Sequence, residues 1–223
     1  MICQGIESGT KEIVCSSDTS ASITSGGGFS ILHAQPSFQT RAVAQYFVTA
    51  AAVNMTPIAG YSAAGRGFPD VALAGSNYLV YIGGSIFAVS GTSASAPVMA
   101  GLLSNINAAR IATGKGSVGW VNPALYTNSS LFINDITSGN SKCAATTGKT
   151  VPNCCTQGFY ATTGWDPITG LGTINYGKMV ASFSALGAVN TAIVAPSKAP
   201  STKSSSTSCH SYGKYSFDRE KVT

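Results

Sequence analysis

Between residues 78 and 113 the apolar positions change their period, and this is the clearest structural signal in the chain. "YLVYIGGSIFAVSG", 78–91, is two apolar runs broken by Gly83-Gly84, the pattern of two strands joined by a tight turn. Directly afterwards Val98, Leu102, Ile106 and Ala109 recur at helical spacing, with Met99 and Leu103 beside them. A helix is therefore expected from near Ala96 to Thr113, ending before Gly114. Upstream, "PSFQTRAVAQYFV", 36–48, opens on a proline and carries Phe38, Val43 and Phe47, which predicts a short helix. "RGFPDVALAG", 66–75, reads as a turn running into a buried segment, and "SGGGF", 25–29, as a glycine hinge or close-approach loop. Residues 1–25 are polar and rich in Ser and Thr. A strand followed by a helix suggests a layered α/β domain.

Composition narrows the class. The chain has 223 residues, 44% of them hydrophobic, enough for one domain with a substantial core. Charged residues are only 9%, far below the roughly 25% of an average soluble protein. The net charge is +5, but Lys198, Lys203, Lys214, Arg219 and Lys221 against Asp218 and Glu220 put three of those charges after residue 194. The remaining +2 is scattered and not interleaved with aromatic residues, so nucleic acid is excluded as a partner. No stretch is long and apolar enough to span a bilayer. From Ala195 onward Ser, Thr, Pro and Lys replace the core pattern, so 195–223 is expected to be a disordered or O-glycosylated tail behind a domain at 1–194.

Six cysteines, Cys3, Cys15, Cys143, Cys154, Cys155 and Cys209, show no metal-ligand repeat and no histidine neighbour. Zinc is therefore not expected. Local disulfides such as Cys3 to Cys15, and Cys143 to Cys154 or Cys155, suit an oxidising compartment, and the sequons at Asn54 and Asn128 point the same way. The N-terminus has neither the basic start nor the apolar core of an export signal. The combination predicts a secreted or extracellular protein whose beginning lies elsewhere.

"FAVSGTSASAPVMAG", 87–101, sets Ser93 where the strand pattern gives way to the helix. A serine at a helix start lies beside unpaired backbone N–H groups that favour developing negative charge, and small neighbours admit a substrate backbone. Pro97 fits a first helical turn. The same serine also fits the role of an N-cap. The residues alone leave nucleophile and cap both open.

The longer string decides the resemblance. "SGTSASAP", 90–97, resembles the nucleophile motif of the sedolisins, the serine-carboxyl peptidases that include tripeptidyl peptidases. "SGGGFS" at 25–30, "RGFPDVAL" at 66–73, "NDITSG" at 134–139 and "GFYATTGWDPITGLG" at 158–172 follow in family order. The resemblance covers about residues 25–185. It implies a subtilisin-like parallel sheet with flanking helices, from the C-terminal part of the peptidase domain with the N-terminal part missing. It also implies acid-acting cleavage of protein or peptide substrates, by endopeptidase or tripeptidyl-peptidase action, with Ser93 as nucleophile, and a monomer is expected. The family base is a glutamate oriented by an aspartate, and a further aspartate serves the oxyanion; all three precede the glycine motif. Here the acids are only Glu7, Glu12, Asp18, Asp70, Asp135, Asp166, Asp218 and Glu220, with no Glu-x-x-x-Asp pair. Glu7, Glu12 and Asp18 read as solvated surface charges, and Asp70 as a turn cap. His33 and His210 have no triad context. The resemblance further implies calcium, held by Asp135, the carbonyls of Ile136 and Gly164, and Asp166, a set of hard oxygen donors suited to that ion. Thr162 stands where relatives often carry glycine. The chain is thus expected to be a sedolisin-type peptidase that is inactive as these 223 residues. A non-catalytic truncated pseudoenzyme or a calcium-stabilised binding domain is the alternative.

Overall fold

In a computed structural model of the chain, residues 2–3, 11–19, 21, 23–57, 60–144 and 153–187 are described. The tail at 195–223, Glu7, His210 and Cys209 lie outside them. The architecture is mixed α/β. Strands β1 (Ile2–Cys3), β2 (Ile13–Val14), β3 (Gly28–Ala34) and β4 (Gly65–Phe68) precede the hairpin β5 (Tyr78–Ile82) and β6 (Ser85–Val89). After it come β7 (Ile133–Asn134), β8 (Cys143–Ala144), β9 (Asn153–Cys154) and β10 (Thr173–Ile174). The helices are α1 (Thr40–Ala52), α2 (Thr92–Ala112), α3 (Asn122–Phe132) and α4 (Tyr176–Ala185).

The expected parallel sheet takes a reduced form. All named strand pairs are antiparallel, but Ile2 bridges Ala74 in parallel and Ala72 bridges Thr173 in parallel. The backbone of 72–75 therefore lies between β1 and β10, with Ile2 donating to Leu73 O and Ala72 to Gly172 O. The lateral order is β2, β1, 72–74, β10, β7. Each member is only two or three residues long; Gly75 follows the central segment and Gly172 precedes β10.

The helical expectations hold with shifted ends. Residues 37–39 form a 3-10 turn before α1, whose inner face is Val43, Tyr46 and Ala50. Helix α2 ends one residue short of Thr113 but begins at Thr92, four residues earlier than its apolar spacing indicated. The spacing missed this turn because Ser93, Ala96 and Pro97 face solvent. Arg110, in the last turn of α2, is completely buried; its guanidinium donates to the carbonyls of Gly116, Phe183, Leu186 and Gly187. It thereby ties α2 to the C-terminal end of α4, where a cation is favoured. Disulfides join Cys3 to Cys15 and Cys143 to Cys154, which settles the pairing that spacing left open.

The quoted motifs meet in the core. Phe29, after the glycine loop, packs against Phe47, Tyr61, Phe159 and Trp165. The Trp165 indole N–H donates to Pro69 O at 3.0 Å, and its six-membered ring lies against Gly67, where a Cβ would sit 2.4 Å from Cη2. A Cβ on Gly27 would come within 1.9 Å of Pro167 O. The glycine loop is thus a close-approach site. We expect Gly67→Ala to destabilise the fold by about 1–3 kcal/mol through overpacking, read as a lower urea midpoint with an unchanged slope. An unchanged midpoint would show that the indole has room to move.

Candidate functional site

Ser93 lies in the first turn of α2, exposed to solvent. The N-cap is Gly91, with extended backbone and no side-chain cap bond, so the N-cap alternative for Ser93 falls. Three interactions pin the elbow. Gly91 N donates to Gly75 O at 2.7 Å, Ser95 Oγ donates to Ala74 O at 2.8 Å, and Ser90 Oγ accepts from Asn77 N at 3.0 Å. The elbow is therefore held by the segment 72–77 that completes the central ribbon. Pro97 falls inside the helix rather than in its first turn. Having no N–H, it leaves the Ser93 carbonyl without its usual i+4 donor. Among the described residues no hydrogen bond to Ser93 Oγ is formed.

The described acids are engaged elsewhere or exposed. Asp70 is not a simple turn cap. Its carboxylate takes Arg66 at 2.5 Å and Asn122 at 2.8 Å on Oδ2, and the Tyr126 hydroxyl at 3.0 Å on Oδ1. Gln39, fully buried, brackets the same knot by exchanging bonds with the Gly67 backbone and donating to Tyr126. Burial and the Asp70 charge push the Tyr126 phenol far above its ordinary value, so it serves as a permanent donor. Glu12 departs from its surface reading as well. It is half-buried and accepts from Thr173 Oγ1 at 2.5 Å, so it braces β10. Asp18 is exposed, and so is His33 on β3.

Asp135 lies near enough to Asp166 for its charge to act on that carboxyl. Asp135 follows β7 and accepts the Gly164 N–H at 2.8 Å on Oδ2. Asp166 is completely buried; Oδ1 accepts from the N–H groups of Ile168 and Thr169, and Oδ2 accepts from Thr169 Oγ1. Burial chiefly, with a smaller contribution from the Asp135 charge, pushes the Asp166 carboxyl up to about 7. Asp135 is raised by burial too. Gly164 turns with φ 86°, a conformation that favours glycine. Two residues before it, the Thr162 hydroxyl is buried with no hydrogen-bond partner among the described residues. A buried carboxylate whose protonation is raised by burial and by the charge of the exposed Asp135 fits a hard divalent cation better than an apolar filler. No group of three or more His, Cys, Asp or Glu assembles among the described residues, so any ion here would lean on backbone oxygens.

No family model matches the chain. Individual relatives do. Physarolisin of Physarum polycephalum is 41% identical over 176 residues, which is 77% of this chain and 29% of physarolisin. The chain belongs to the sedolisin family. Aorsin of Aspergillus oryzae is 44% identical over 168 residues, covering 71% of this chain and 24% of aorsin, and tripeptidyl-peptidase 1 of Rattus norvegicus is 41% identical over 154 residues, covering 68% and 26%. This sedolisin-family chain thus spans under a third of the length of these relatives. Pseudomonas sedolisin, a serine-carboxyl proteinase solved with two molecules of pseudo-iodotyrostatin, superposes with a TM-score of 0.54 at 24% identity. That match covers 80% of this chain and 42% of that one, and at this identity it carries the fold. Among the described residues no helix is long and apolar enough to cross a membrane.

The Asp70 knot generates a test of its own. Asp70→Ala leaves Arg66, Asn122 and Tyr126 without their acceptor and should lower stability by about 2 kcal/mol, measured by denaturant unfolding. A variant as stable as the parent would release Asp70 from its structural role.

Proposed function

We propose that this sedolisin-family chain is the nucleophile-bearing portion of a serine-type peptidase, with Ser93 attacking the scissile carbonyl of a peptide. The carrying observation is the exposure of Ser93 in the first turn of α2, on an elbow pinned from both sides. In that role Ser93 Oγ forms an ester with the acyl carbon while a general base takes its proton. The C–N bond breaks as the leaving amine receives that proton, and water then hydrolyses the ester and restores the hydroxyl. The N–H groups of the first helical turn lie where the oxyanion develops. None of Glu12, Asp70, Asp135 or Asp166 is uncommitted enough to serve as base, and the exposed Asp18 and His33 make no hydrogen bond to Ser93 among the described residues, so the base is assigned to residues beyond the described ones. A carboxylate base and a protonated carboxyl donor confine the reaction to acid. Substrates are proteins or peptides.

Calcium belongs to the same proposal. Asp135, Asp166 and the carbonyls of Ile136 and Gly164 would hold it, with the Thr162 carbonyl beside them. Its chemistry would be charge neutralisation of the buried Asp166 and the exposed Asp135, which would fix the 162–172 loop. That loop carries Trp165 and therefore steadies β4 and the segment leading to the elbow. The alternative of a non-catalytic, calcium-stabilised domain draws on the prior engagement of each buried or half-buried carboxylate.

Two outcomes are expected. A chimera in which this chain replaces the matched stretch of physarolisin should hydrolyse peptides in acid and lose at least about 10³-fold in kcat on Ser93→Ala, whereas residues 1–223 alone should show no Ser93-dependent hydrolysis at any pH. A folded chimera indifferent to Ser93→Ala would favour the non-catalytic reading. Calcium at about 100 times its Kd should stabilise the chain by about 2.7 kcal/mol over chelator, a melting shift of several degrees that magnesium fails to reproduce. Identical melting with calcium and with chelator would remove the ion from the account.

A further inference from the structure

Cys154 and Cys155 are adjacent in sequence, and the fold separates their roles. Cys154 faces Cys143 across the β8–β9 pair and is bonded to it. Successive side chains of an extended backbone leave on opposite faces, so Cys155, directly after β9, carries its sulfur away from that bond. Its backbone is fixed beside β8, the N–H donating to Lys142 O at 2.9 Å, and the residue is half-buried. Cys155 is nevertheless disulfide-bonded, and among the described residues no cysteine is free. Each sulfur takes one such bond. Cys3 is joined to Cys15 and Cys143 to Cys154, and of the six cysteines in the chain only Cys209 is left as a partner.

We propose that a Cys155–Cys209 disulfide fastens the C-terminal segment, residues 195–223, to the end of the β8–β9 hairpin. Its formation takes a proton from each thiol and passes two electrons to a small-molecule disulfide such as oxidised glutathione, which leaves as two thiols. The attachment point lies between the two aspartate motifs. From the hairpin a ladder continues, with Ser141 N donating to Phe159 O, Ala161 N donating to Gly139 O and Asn140 bridged to Tyr160, so the hairpin connects the Asp135 segment to the Gly164–Asp166 segment. The chain leaves the last described residue at Gly187, where Arg110 holds the carbonyls of Leu186 and Gly187. The stretch 188–208 reaches roughly 70 Å when extended, well beyond the roughly 45 Å across a compact domain of this size, so its length does not oppose the bond. The Cys3–Cys15 and Cys143–Cys154 bonds have sequence separations of 12 and 11 and each staples one two-stranded pair. Cys155–Cys209 joins segments far apart in the chain, and a reductant therefore releases a whole segment rather than loosening one turn. A Ser-, Thr- and Lys-rich stretch with too little apolar surface to build a core is kept on the body by this covalent bond. The bond is independent of the role of Ser93.

The test uses the full 223-residue chain, equilibrated with reduced and oxidised glutathione, alkylated without reduction, digested with trypsin and analysed by mass spectrometry. Cleavage after Lys142, Lys149, Lys178, Lys203 and Lys214 gives peptides 143–149, 150–178 and 204–214. The expected bonds hold all three in one species, and reduction before alkylation should separate them. Cys209→Ser should leave 143–149 joined to 150–178 and expose Cys155 as the one alkylated thiol. Cys155→Ser should expose Cys209 instead. Alkylation of Cys209 throughout the oxidised parent chain would overturn the proposal. A doubled mass without reductant, from two chains joined through Cys155, would overturn it as well. So would 204–214 remaining on 150–178 in the Cys155→Ser variant, since Cys209 would then belong to Cys154. The mass of the parent chain decides the bond by itself, so neither variant has to fold for the result to count.

Discussion

The contact on which the rest of this structure depends is the seating of the Trp165 indole on the backbone of Gly67. It joins two segments about a hundred residues apart, and the indole N–H donation to Pro69 O fixes their angle. Everything near Ser93 inherits its position from this contact. Pro69 leads through Asp70 to the ribbon at 72–75, which accepts Ser95 and Gly91 and so aims the first turn of α2. In the other direction Trp165 precedes Asp166, whose carboxylate holds Ile168 and Thr169 and whose backbone pairs with Gly170, and a Cβ at Gly170 would collide with the Asp70 carbonyl at 2.4 Å. The glycines of this region are where two backbones or a ring meet without room for a methyl group.

This explains why the motifs were legible and some of the elements were not. "RGFPD" and "SGGGF" read as a turn and a close-approach loop because their glycines and prolines are local signals, and Gly27 and Gly67 do make close approaches. The hairpin was legible from Gly83-Gly84 flanked by apolar runs, and both glycines adopt positive φ as a tight turn requires. Helix α2 is legible in the sequence except for its first turn, 92–95. Its first turn carries Ser93 on the solvent side and follows no apolar spacing, and Pro97 was read as a start because proline favours first turns. Exposure of the candidate nucleophile and invisibility of its turn have one cause.

The charged residues were the least legible. Glu12 and Asp70 were read from local context as surface and turn residues, yet their partners, Thr173 and the pair Asn122 and Tyr126, come from distant segments. Arg110 likewise gains its role from carbonyls more than seventy residues away in α4 and the loop after it. A buried hydrogen-bonded charge is specified by tertiary neighbours, and no periodicity announces it. The parallel sheet, implied by family resemblance, takes the form of a five-membered ribbon with two parallel bridges and members only two or three residues long. The apolar runs of β5 and β6 fit strands covered on both faces, a burial that the described residues do not supply.

Ser93 is exposed on a turn held by the 72–77 segment, and the proposal places its chemical assistance outside that turn. The most direct measurement is covalent labelling of Ser93 by a serine-reactive organophosphorus reagent, located by peptide mass spectrometry. The account predicts no labelling of Ser93 in the 223-residue chain and stoichiometric labelling in acid once the chain is joined to the remainder of a sedolisin-family domain. Rapid labelling of Ser93 in the 223-residue chain alone, or none in the joined protein, would contradict it.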